Sequence, residues 1–378
     1  MRSAATRVLA GALVAAAACR HEEPYTPAEL APTPVWSGEP RRITFNPEGD
    51  HWPAFLRDGS AIGYSYHPLE RKDHDRCLAF IPPGGGRIMR EICRRSLARE
   101  ADSTNAVTTH GVSAGGRVAL VAESGNPRIL FPDFRALWLG RLGDARLTQL
   151  RAFPYLTPSG QIHLGASDLA WPNESTLVYL AMYVSYRPPI VDIPPDTEYT
   201  GIELVQLRLR GDSLASATVI PNTAGASSLA PGPGDTVYFT MGGDSRVFAL
   251  ATGTGQVGVW YDFGALGIAR DVQVGGGTLA AVVGGRVHFY FHASWGIQAQ
   301  ADSGGPIYAV PLPGGAPRLV VNIGRALVIG SPTYRHIALD PSGRHLVAER
   351  SVMVERRLRA FTDTVVSKES DLWLFDIP

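Results

Sequence analysis

Residues 109–123 read "THGVSAGGRVALVAE", and Gly111-Val112-Ser113-Ala114-Gly115 within them has the G-x-S-x-G spacing of a hydrolase nucleophile elbow. An elbow is a sharp strand-to-helix turn that lifts the serine above a sheet, so a helix should come after Ser113. Instead the chain continues with Arg117-Val118-Ala119-Leu120-Val121-Ala122, a short apolar β-rich run stopped by Gly125-Asn126-Pro127. That is the pattern of a buried strand and a turn. The stretch predicts strand-turn-strand, with no catalytic residue at Ser113.

The same arrangement recurs along the chain. "AFLRDGSAIGYS" (54–65), "LAWPNESTLVYL" (169–180), "LAPGPGDTVYF" (229–239), "VQVGGGTLAAVV" (272–283) and "IALDPSGRHLVAE" (337–349) each join an apolar segment, a polar turn and a second β run. The turns center on Gly59, Gly116, Glu174, Gly234, Gly276 and Gly343. A second strand-turn-strand unit comes after several of them, as in "RALWLGRLGDARLTQL" (135–150) and "RVFALATGTGQVGVWY" (246–261). Two hairpins per repeat make a four-stranded antiparallel sheet, and six such sheets set radially make an all-β, six-bladed β-propeller. The last repeat contains "DLWLFDI" (371–377) as its third strand, and "PRRITF" (40–45) has no partner before the first repeat. Pairing the two closes the last blade with an N-terminal strand and removes an open sheet edge.

Composition agrees with this reading. The 378 residues include 41 glycines and 29 prolines, and 35 basic side chains balance 35 acidic ones. No basic excess points to a nucleic-acid partner. Residues 1–18 lie outside the propeller. Arg2 and Arg7 form a positive start, and the apolar run Val8–Ala18 is too short to span a bilayer, as in a signal peptide. Ala16-Ala17-Ala18-Cys19 resembles a bacterial lipobox with cleavage before Cys19 and acylation of its thiol, although Ala16 stands where leucine is usual. Ordinary signal-peptidase cleavage at the alanines is the alternative, and a cytosolic N-terminal helix is the plain one. Residues 19–35 are polar and proline-rich, a lipidated tether ahead of a propeller domain over 36–378. Arg20 rather than Asp comes after the cysteine, which leaves outer-membrane delivery open.

Cys77 and Cys93 flank the turn Pro82-Pro83-Gly84-Gly85-Gly86. In an exported chain this spacing predicts a disulfide across a hairpin. Two separate buried thiols are the alternative, and no metal-like Cys/His spacing surrounds them.

"ITFNPEGDHWPAFLRDGSAIGYS", "LDPSGRHLVAE" and "DLWLFDI" resemble the repeat of TolB-type propellers: a Thr-ending strand, Asp-x-x-Pro-x-Phe, a Ser-Pro-Asp-Gly turn and an aromatic-rich third strand. The resemblance covers about residues 36–378 and weakens in the middle repeats, at Trp-Pro-Asn-Glu (171–174) and Val-Gly-Gly-Gly (274–277). It implies a periplasmic, protein-binding propeller. Similar propellers also cover prolyl-oligopeptidase-like enzymes, but these need an additional α/β-hydrolase domain, and the counted ring runs to Pro378.

Two functions are compatible with this reading. The first is a lipid-anchored, non-catalytic interaction or scaffold module of the bacterial cell envelope, without cofactor or metal, held to the membrane through Cys19 and bound to another envelope protein. The alternative is a lactonase-type propeller hydrolase with a metal or ligand at the channel mouth. For that site the residues at the start of each inner strand are His51, His110, Asp168, Ser228, Asp271 and His336, placed to within one residue. The plain reading is polar residues facing a water-filled channel. His288 and His292 in "HFYFH" lie about 13 Å apart along a strand, too far to chelate together. His74 in "DHDR" reads as a charged hairpin end. Residues 187–200 and 292–305 read as long loops, where binding commonly sits, with Tyr199 and Trp295 as candidate anchors.

Overall fold

The computed structural model of the protein describes residues 39–46, 49–66, 76–93, 104–125, 134–142, 147–157, 162–184, 200–284, 287–291, 298–302, 305–322, 332–352 and 368–378. Six antiparallel sheets form a ring in which each inner strand touches the inner strand of the next blade. The inner strands are Asp50–Phe55, Thr104–Val112, Ile162–Asn173, Ala226–Pro231, Ala269–Gly275 and Pro332–Leu339, in blades 1 to 6. Five blades have four strands and the third has a fifth, the short strand Tyr155–Leu156. Blade 5 also carries a separate hairpin, in which Val287–Phe291 pairs with Gln298–Asp302 between its second and third strands. The loop expected over 292–305 is therefore partly strand. Residues 298–302 pair back on 287–291 as a local hairpin.

The turn glycines adopt the expected geometry. Gly59, Gly116, Gly234, Gly276 and Gly343 all have positive φ, the left-handed region that a Cβ disfavors. Ser113 caps the turn of blade 2. Its hydroxyl donates to Glu174 Oε2 at 2.8 Å and accepts from the Arg117 amide at 2.9 Å, tying blade 2 to blade 3.

Middle strands such as Ile62–Tyr66 and Cys77–Ile81 are buried at every position, so the blades bury both faces against their neighbors. The result is six inter-blade cores. Ile62, Tyr64, Val347 and Leu374 join blades 1 and 6, and Leu137, Trp171, Leu177 and Leu207 join blades 2 and 3. Arg41 and Arg42 pair antiparallel with Leu374 and Trp373, making the fourth strand of blade 6. This ladder is only two residues long. Ile43 N–H to Leu372 O and Leu372 N–H to Thr44 Oγ1, each at 2.9 Å, extend it.

Cys77 and Cys93 form a disulfide between facing strand ends in blade 1, with Cα atoms 4.5 Å apart. The expectations for the signal peptide, Cys19 and the tether lie outside the described residues, as do His74, Tyr199, His292 and Trp295. Among the described residues no helix is long and apolar enough to cross a membrane.

Candidate functional site

Every inner strand carries a register shift at a similar height. It falls between His51 and Ala54, Val107 and Thr109, Ser167 and Leu169, Ala226 and Ser228, Ala269 and Asp271, and Arg335 and Ile337. An extra residue in one strand bends it and re-aims a side chain. Here the shifts turn Trp52, Asp168, Ser227, Arg270 and His336 toward the ring axis, where they border a cavity of ≈ 680 Å³. Trp52, Asp168 and His336 do so with φ of 51°, 42° and 45°. Left-handed backbone at non-glycine residues costs on the order of 1–3 kcal/mol each and is concentrated where function holds it.

Asp168, Asp271 and His336 come together in this cavity from blades 3, 5 and 6. Burial pushes the Asp168 carboxyl up to about 7, with Asp271 adding to the effect, while His336 and the Leu229 amide oppose it. Burial also raises Asp271, against the pull of His336 and the donors Ile337 N–H and Ser228 Oγ–H. Those donors reach its two carboxylate oxygens at 2.7 and 2.8 Å. Burial disfavors the imidazolium of His336, but Glu349 outweighs burial through charge and a hydrogen bond, and the pKa is raised.

His51 does not line this cavity, which corrects the expectation for it, whereas His110 borders the cavity together with Asp168, Asp271 and His336. The shift in blade 1 comes after His51, so its ring turns into the seam with blade 6, where Nδ1 lies 3.0 Å from both Glu349 Oε1 and Ser370 Oγ. His110 comes after the shift in blade 2 and packs over blade 1, its Nε2 3.1 Å from where a Cβ on Gly63 would sit. Burial lowers its pKa to about 4, against a smaller raising effect of a hydrogen bond with the Gly63 backbone.

The sequence reading missed Trp52, Arg270, Arg335 and Glu349. Glu349 is fully buried and accepts from His336, His51, Arg335 and the Trp52 amide. Its slot in the other second strands holds Ser65, Ala122, Leu180, Met241 and Val283. A carboxylate in an otherwise apolar run was the available signal.

The donors of Asp168, Asp271 and His336 do not form a ready cation cage. Among the described residues, the one set of three such groups within 4.8 Å of one another is Cys77, Glu91 and Cys93, and its two sulfurs are bonded to each other. The cavity offers instead two carboxyl groups, the His336 imidazole that Glu349 holds in place, and the half-buried Trp52 indole, 5.6 Å from the His336 ring.

The chain is thus a six-bladed β-propeller with a charged axial cavity. Two solved structures with TM-scores of 0.50 agree on the fold. A gluconolactonase from Xanthomonas campestris is similar over 94% of this chain and 94% of its own, at 13% identity and a TM-score of 0.50. Regucalcin, a calcium-binding protein from Agrobacterium tumefaciens, is similar over 89% and 93%, at 14% identity and a TM-score of 0.50. TolB from Acinetobacter baumannii is similar over 84% of this chain and 64% of its own, at 13% identity and a TM-score of 0.45. Identities this low speak to the fold alone. No protein-family model matches the chain, and no curated protein matches it.

Proposed function

We propose that the protein is a lipid-anchored, non-catalytic interaction module of the bacterial cell envelope that holds another envelope protein at the charged end of its channel. One observation carries this reading: the two faces of the ring are unequal. The connections Tyr66 to Cys77, Val184 to Thr200, Val283 to Ile307 and Val352 to Lys368 leave from the face where the inner strands begin. The opposite face is built of tight turns such as Gly211-Asp212 and Gly276-Gly277. Long connections on a rigid scaffold are the usual place for recognition.

A photo-crosslinking residue tests the reading in cells. Placed at exposed Ser167 beside the cavity, it should capture one defined envelope protein, and placed at exposed Asp212 on the turn face it should not. Equal capture from both positions overturns the proposal. Cys19→Ser should release the protein from membranes, and a variant that still pellets with them removes the anchor.

The lactonase-type hydrolase is the second reading. It is favored by the Glu349–His336 pair beside an Asp168 that titrates near neutrality. Turnover of a lactone panel by purified protein with a divalent cation, lost in Asp168→Asn, would establish it in place of the first.

A further inference from the structure

The axial cavity changes character along its length. At the level of the register shifts it is bordered by Asp168, Asp271, Arg270, Arg335 and His336. Toward the turns it is bordered mostly by apolar side chains, Phe55, Val112, Trp171, Tyr238, Val274 and Leu339, with Arg57 among them donating to the Trp171 carbonyl. A ligand that fills both levels needs an apolar stem and a charged head. At about 680 Å³ the cavity has the size of a small-molecule or side-chain site.

The sign of the head is set by how the chain uses its own charges. Arg335 Nε donates to Glu349 Oε1 at 2.7 Å, and His336 Nδ1 meets Glu349 Oε2 at 2.7 Å. Arg270 Nε donates to the Gly284 carbonyl. Arg335 and His336 are thus tied to Glu349, Arg270 keeps its charge beside a neutral carbonyl, and His336 also acts through charge on Asp168 and Asp271. Among the described residues neither Asp168 nor Asp271 forms an ion pair. Asp271 is held by Ser228 and two backbone amides, whereas the Leu229 amide is the hydrogen-bond partner of Asp168. The Trp52 indole borders the same level, with the Arg76 guanidinium 5.8 Å from its ring centroid.

We propose that the channel binds an ammonium group on an apolar stem, with Asp168 and Asp271 taking the ammonium and the lower channel taking the stem. The proposal rests on the reading of the channel as a binding site. Two sources supply this chemistry: a free alkylamine and a lysine side chain of a protein partner. Burial and the second carboxylate make the free Asp168 anion costly, and a cation placed between the two relieves that cost.

Titration calorimetry on the purified full-length protein tests it with hexylamine, hexanoate, 1-hexanol and a short lysine-containing peptide. Hexylamine should bind at least about tenfold more tightly than hexanoate or hexanol, and Asp168→Asn should remove that advantage while leaving hexanol binding unchanged. Binding of the peptide with the same Asp168 dependence assigns the site to a partner's lysine, and binding of hexylamine alone assigns it to a free amine. Hexanoate binding as tightly as hexylamine, an unchanged amine affinity in Asp168→Asn, or no binding of any probe overturns the proposal. Amine binding together with failed crosslinking at Ser167 would overturn the envelope-partner reading and leave this one standing.

Discussion

His336 Nδ1 lies 2.7 Å from Glu349 Oε2, and the other carboxylate oxygen meets His51 Nδ1 at 3.0 Å, so one fully buried glutamate joins the first and last blades. Burial works against the Glu349 anion, but His336 and His51 overcome it and hold its pKa well below the usual 4.5.

Glu349→Gln should therefore cost about 1–3 kcal/mol, because it removes the carboxylate that His336 and Arg335, each about one third exposed, share. The pH dependence has two arms. The carboxylate, with a lowered folded pKa, stabilizes above its unfolded 4.5 and loses that effect as pH falls through the folded value. The imidazolium, with a raised folded pKa, stabilizes below its unfolded 6.5 and loses that effect as pH rises through the folded value. Urea melts should show the largest gap between wild type and variant between these two pKa values. A gap independent of pH would show that the pair acts through packing alone.

His110 makes an opposite prediction. Its folded pKa of about 4 lies below the unfolded 6.5, so the unfolded chain takes up the proton first. Stability should fall by on the order of 3 kcal/mol as pH drops from 6.5 to 4. His110→Leu should lose that slope, measured as the difference in Tm between pH 4.5 and pH 7 buffers. A variant that keeps the slope would place the titration elsewhere.

Asp50 carries a pH effect in the alkaline direction. Asn46 Nδ2 donates to its Oδ1 at 2.6 Å, and its Oδ2 is buried without a partner. Burial raises its pKa to about 8, with hydrogen bonds from Thr44 and Asn46 opposing and Asp371 adding. The folded state thus holds a proton that the unfolded state releases above 3.8, and stability should fall as pH rises from 4 to 8, by on the order of 5 kcal/mol. Asp50→Asn should flatten this decline and raise Tm at pH 8. A lower Tm at pH 8 would mean that the carboxyl is ionized and favorable in the fold.

What was legible in the sequence is what short-range chemistry encodes. Gly59, Gly116 and Gly343 marked the turns because a positive φ selects glycine, and Cys77 and Cys93 marked a hairpin because they flank its turn. Side-chain direction was not legible at the register shifts. One inserted residue reverses the alternation, which sends His51 into the seam between blades, leaves Asp168 and His336 on the axis, and keeps His110 at the edge of the same cavity, packed over blade 1. Glu349 was hidden for a different reason: its partner His51 is 298 positions away, and the ring alone brings the two together.

The same long-range closure sets the last prediction. The closing strand contributes a ladder of only Arg41 and Arg42, so its hold on blade 6 depends on the next residues, Ile43 above all. Ile43 is buried among Ile62, Tyr64, Val347, Leu372 and Leu374, at the seam of the first and last blades. Gly85 approaches it so closely that a Cβ there would sit 2.9 Å from the Ile43 carbonyl oxygen, at a φ of +87°. Ile43→Ala removes apolar volume from a seam that cannot collapse without shifting a whole blade, and should cost about 2–5 kcal/mol. Val219→Ala, on the exposed outer strand of blade 3, should cost less than about 0.5 kcal/mol and serves as the matched control. Thermal melts of the two variants decide the matter. Equal losses would mean that the ring closes through blade-to-blade packing without help from the N-terminal strand.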